Sequence, residues 1–86
     1  MKLIFDGVSK GLRSNRSKTD DREYQSLQFI DDHGGDLVVE CGSYDMKSAN
    51  VPISKEVHVE LTITSYAIGF VQHLRLTGLP VIKLAH

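Results

Sequence analysis

Cysteine is nearly missing from this 86-residue sequence. Cys41 stands alone, so no intrachain disulfide can form and no cysteine-rich metal site can be built. Long apolar runs are missing as well. Near the N-terminus only Leu3, Ile4 and Phe5 follow one another before Asp6, too few for the apolar region of a signal peptide. No window approaches the length of a membrane span. There is no glycine-rich phosphate loop with a following lysine and no nucleophile elbow. His33, His58, His73 and His86 are scattered without zinc spacing. The acid pairs Asp20-Asp21 and Asp31-Asp32 lack the register of a calcium loop. These absences predict a soluble, intracellular, non-enzymatic protein with no cofactor and no metal. Cys41, beside Gly42, reads as a small buried side chain.

Net charge is also small. Ten basic and eleven acidic residues leave a formal charge of -1. The total therefore draws the chain toward neither nucleic acid nor membrane, but the distribution is uneven. Asp31, Asp32, Asp36, Glu40, Asp45, Glu56 and Glu60 make the middle of the chain acidic, against Lys47 and Lys55. Earlier, KGLRSNRSK places Lys10, Arg13, Arg16 and Lys18 in nine residues with no acid. Its Gly, Ser and Asn residues favour a turn, which predicts positive charge at the tip of a loop or long hairpin.

The length predicts one domain, residues 1–86, with a thin core that gains from self-association. Lys2–Val8 is predicted as a first strand. Arg22–Ile30 is predicted as a second, with Leu27 and Phe29 as its core pair. Asp31–Gly35 is a strong turn signal. Asp36–Gly42 follows as a third strand, with Leu37 and Val39 on one face and Val38 and Glu40 on the other. Ser43–Lys55 is irregular, with room for one short helical turn, and Pro52 interrupts any longer helix. In Glu56–Thr64, Val57, Val59, Leu61 and Ile63 recur at strict two-residue spacing, which specifies a half-buried strand. Tyr66–Thr77 is predicted as a fifth strand with a bulge at Gly69. Tyr66 and Phe70 are assigned to the core or to a dimer contact. Val81–Leu84 returns to cover an edge or meet another subunit.

Five strands and no long helix predict an all-β fold. A small Greek-key barrel or an SH3-like barrel suits this length better than part of a sandwich. Single-strand binding needs cations for phosphates and flat side chains for bases. Lys10, Arg13, Arg16 and Lys18 lie close in sequence to Arg22 and Tyr24. Tyr44 with Lys47 makes a second candidate cluster, and His73 with Arg75 a third.

Taken together, MKLIF, the arm containing RSNRS, the Arg-Tyr entry to REYQSLQF and the terminal SYAIGFVQHLRL with its Leu-Pro tail form one layout. It resembles the single-stranded DNA-binding proteins of filamentous bacteriophages, the gene V type. The likeness covers most of the chain. It implies a five-stranded Greek-key barrel of the OB type and a symmetric homodimer in the bacterial cytoplasm. It further implies cooperative coating of single-stranded DNA, without sequence preference, in phage DNA replication and packaging. On that likeness Arg13, Arg16 and Lys18 are phosphate contacts on a projecting wing. Arg22 and Tyr24 form the entry to the second strand, Arg75 faces DNA, and Tyr44 is a stacking aromatic. The chain departs from the family in its net charge and its acidic middle. Two other binding classes fit the residues: a single-stranded RNA-binding module, and an adaptor or inhibitor that meets a protein partner through the acidic section or the Val81–Leu84 edge.

Overall fold

The computed structural model describes residues 1–16, 19 and 22–85. It is all-β. The strands are β1 (Lys2–Arg16), β2 (Glu23–Asp31), β3 (Asp36–Glu40), β4 (Lys55–Ile68), β5 (Val71–Leu76) and β6 (Val81–Leu84). The irregular segment holds one 3-10 turn, Lys47–Ala49.

Five strands form a hydrogen-bonded ring in the order β1-β2-β3-β5-β4, and β4 returns to β1. The weakest seam is β3–β5, a parallel contact that pairs only Glu40 with Arg75. β4 is long enough to serve two neighbours on one side. Its second half pairs with β5 and its first half with β6. β6 thus continues the edge begun by β5, in keeping with the expected edge-covering role of Val81–Leu84.

Alternation decides the core. Leu27 and Phe29 of β2, Val39 of β3, and Val57, Val59, Leu61 and Ile63 of β4 are all buried inside the ring, joined by Cys41, Met46 and Leu76. Burying each such side chain contributes about 1.5–3 kcal/mol relative to exposure. Phe5 and Phe29 meet edge to face, with ring centres 5.5 Å apart. Gly7 lies where β1 passes from β4 to β2. A Cβ there would stand 2.2 Å from the Ile30 carbonyl oxygen, so only glycine allows this close approach.

Two expected boundaries are corrected. β1 does not stop at Val8. It runs to Arg16, and Arg13, Ser14, Asn15 and Arg16 pair with Ser26, Gln25, Tyr24 and Glu23. Of the expected loop or long hairpin, the described residues follow the second: they form a strand that projects as one leg of a β1–β2 arm. Polar side chains suit it because a two-stranded arm beyond the core has water on both faces. Lys10 is the extra residue of a bulge between Ser9 and Gly11. The bulge is tied down by buried Ser9, whose hydroxyl donates to the Pro52 carbonyl at 2.6 Å and accepts from the Gly11 N–H at 3.3 Å.

The second correction is at Gly69, which is not a bulge within one strand. Gly69 and Phe70 form a two-residue turn closed by the Ile68–Val71 pair, and Gly69 adopts φ 63°. Tyr66, Ala67 and Ile68 therefore end β4, and the fifth strand begins at Val71. The positive φ needed in a tight hairpin explains the glycine. Neither Tyr66 nor Phe70 enters the core: Tyr66 is half-buried on the outer face and Phe70 is fully exposed.

Candidate nucleic-acid interface

The outer face of β2, β3 and β5 carries a groove of about 590 Å³. Its lining includes Arg22, Tyr24, Ser26, Val38, Glu40 and Arg75. The register explains this convergence. Ser26 pairs with Glu40, and Glu40 pairs with Arg75, so one row crosses three strands. Tyr24 lies two residues from Ser26, on the same face. Tyr24 is 50% exposed.

Arg75 is positioned from below and beside. Its stem lies over Gly42, where an added Cβ would approach the Arg75 Cγ and Cδ to 3.2 Å. Its guanidinium carbon sits 4.7 Å from the centre of the Tyr66 ring. His73 stacks on the same tyrosine, with ring centres 5.1 Å apart. The Tyr66 hydroxyl donates to Glu40 Oε2 at 2.6 Å, and this bond raises the Tyr66 pKa above its ordinary value. His73 Nδ1 lies 3.3 Å from the same Glu40 oxygen. Glu40, Tyr66, His73 and Arg75 therefore act as one linked group across β3, β4 and β5.

The basic arm divides its charge between two faces. Arg13 pairs with Ser26 and so shares the groove face, beside groove-lining Asn15. Arg16 is opposite Glu23, one residue out of phase with Tyr24. Lys47 bonds Glu23 at 2.6 Å and 2.8 Å. The Lys47 ammonium, with help from Ser14 and Arg16, holds the Glu23 carboxyl below the usual carboxylate range. Lys10 is exposed at the bulge, at the base of the arm. Lys18 lies outside the described residues, as do Asp20, Asp21 and His86.

Tyr44 is placed differently from Tyr24. It packs half-buried against the core, and its hydroxyl donates to the Thr77 carbonyl at 3.2 Å. It lines a shallow neighbouring depression with Glu23 and Asp45 rather than the groove. Arg75 pairs with Thr64 on β4 rather than with Glu60. Glu60 instead lies 3.5 Å from Lys2.

Sequence reasoning did not single out Glu40, Tyr66 or Gly42 for the site. Alternation in β3 already separated Glu40 from Val39. Recognising Gly69-Phe70 as a hairpin turn would have placed Tyr66 opposite His73. Elsewhere, His58 Nδ1 lies 2.7 Å from Asp6 Oδ1 on the polar face of β4. Asp31 is used by its own turn, where its carboxylate accepts from the N–H groups of His33 and Gly35. No group of three or more metal-ligating side chains occurs among the described residues. No helix among them is long and apolar enough to cross a membrane. Compared with known proteins, the chain matches no family model, no curated protein and no solved structure.

Proposed function

We propose that this protein binds and coats single-stranded DNA, using the β2-β3-β5 groove for bases and the β1–β2 arm for phosphates. The observation that carries this reading is the meeting of Arg22, Tyr24 and Arg75 on one groove, although they come from distant parts of the sequence. Tyr24 supplies the stacking ring. Arg13, Arg22 and Arg75 supply charge beside it. Stacking accepts any base and phosphate contacts carry no sequence information, so binding requires no defined sequence.

The finer fold assignment is part of this proposal. The ring order, with β3 parallel to β5, supports a five-stranded Greek-key barrel of the OB type. Such barrels bind oligonucleotides on the face of strands 2 and 3 and through the loops joining strands 1–2 and 4–5. The groove, the basic arm and the Gly69-Phe70 turn occupy those positions. A homodimer belongs to the same reading. Ile68, Phe70 and Val71 leave an exposed apolar tip on the β4–β5 hairpin, which a second copy would cover. The likeness to the gene V type extends the proposal to cooperative coating during phage DNA replication and packaging in the bacterial host.

Fluorescence titration of a labelled oligonucleotide, at low and moderate salt, tests the reading. Single strands bind more tightly than duplex, and Tyr24→Ala lowers single-strand affinity by about 1–3 kcal/mol with the fold intact. Absence of binding at low salt, or equal affinity for duplex, rejects it. Sedimentation that finds only monomer at working concentration removes the dimer.

A further inference from the structure

An acidic side chain in the middle of a groove meant for a polyanion calls for an explanation. Glu40 lines the groove between Arg75 on β5 and Ser26 on β2. Its side chain is 36% exposed. It is also held in place. Oε2 accepts the Tyr66 hydroxyl and lies beside His73 Nδ1, whereas Oε1 has no hydrogen-bond or ion-pair partner among the described residues. The groove thus contains one fixed, unused anionic acceptor close to a half-exposed tyrosine ring.

A phosphate would be repelled there. A base edge carrying an amino group would not. Carboxylates accept hydrogen bonds from the exocyclic amine of cytosine, and adenine presents a similar amine. Thymine and uracil present a carbonyl oxygen at the corresponding position, and their N3–H donor is flanked by two carbonyl oxygens that repel a carboxylate. The geometry points to Glu40 as a base-reading residue that favours amino-bearing bases over thymine and uracil in bound single strands. This rests on the single-strand-binding reading and deepens it: the protein needs no defined sequence, yet one position in the groove biases base composition.

The bland account is that Glu40 only ties β3 to β4 and β5 and dampens the charge of Arg75. The two accounts separate in a comparison of oligo(dC) with oligo(dU), bases that differ only at the amino-for-carbonyl exchange and the accompanying N3 proton. Titrations run at mildly alkaline pH, where cytosine is unprotonated and its strands stay unpaired. Wild-type protein binds oligo(dC) about five- to tenfold more tightly than oligo(dU). Glu40→Gln, checked for folding by circular dichroism, brings the ratio close to one by strengthening oligo(dU) binding more than oligo(dC) binding. Equal wild-type affinities overturn the inference while leaving single-strand binding standing. So does Glu40→Gln strengthening both ligands by the same factor. Wild-type protein that binds neither strand at low salt overturns the inference together with the reading it rests on. If the variant does not fold, equal wild-type affinities still overturn the inference.

Discussion

The Arg75 guanidinium carbon lies 4.7 Å from the centre of the Tyr66 ring, although the two residues sit diagonally rather than directly opposite on β4 and β5. The ring face attracts the cation and fixes its direction. Arg75 therefore presents a preset charge to the groove instead of a freely rotating one. Arg75→Ala is expected to weaken oligonucleotide binding and to reduce the salt slope of log K by about 1. Tyr66→Leu keeps the charge and is expected to weaken binding less, with the salt slope unchanged. Salt titrations of both variants check this, and equal slopes for wild type and Arg75→Ala would count against a phosphate contact.

Arg13 and Arg16 look equivalent in sequence but face opposite sides of the arm. Arg13 shares the face of Ser26, and Arg16 shares that of Glu23. Glu23 already lies under the charge of Lys47 and Arg16. Arg13→Ala is expected to reduce affinity more than Arg16→Ala, and the double replacement most. Parallel binding titrations decide it. The reverse order would mean that nucleic acid follows the Glu23 face.

Phe29 is fully buried and meets Phe5 edge to face at the centre of the ring. Phe29→Ala removes a large side chain from packed surroundings and is expected to destabilise the fold by about 3–5 kcal/mol. Urea unfolding followed by circular dichroism measures this. A loss below about 1 kcal/mol, far short of an ordinary large-to-small core replacement, would show that the core closes around other residues.

Burial, with a smaller contribution from the Asp45 charge, pushes the Cys41 thiol up to about 11 from an ordinary 9.0. Between those values the unfolded chain loses the thiol proton while the folded chain keeps it. This contribution to stability is therefore complete below pH 9.0 and is lost as pH rises toward about 11. Unfolding midpoints of wild type and Cys41→Ala across that window are expected to converge as pH rises. A constant difference would mean that the thiol ionises alike in both states.

Much of the frame was legible because it depends on short-range pattern. Two-residue alternation in Val57–Ile63 identified the central strand and its buried face. Leu27 and Phe29 were legible as a core pair, and Asp31–Gly35 as a turn, because side-chain chemistry decides those locally. Strand limits in polar segments were not legible. Arg13–Arg16 has the composition of a loop, and only the ladder to Glu23–Ser26 makes it a strand. Gly69 suits a bulge and a tight turn equally well, and cross-strand pairing chose the turn.

By itself, then, the sequence determined an all-β chain with a specified buried face, a basic segment and an acidic middle. Those properties follow from residue type and period. Only the tertiary structure decided that Arg22, Tyr24 and Arg75 meet, that Arg13 and Arg16 part, and that Glu40 lies inside the groove rather than on a separate acidic surface. Those outcomes depend on register. Pairing Ser26 with Glu40 and Glu40 with Arg75 sets the row, and a slip of one residue would turn each side chain to the other face.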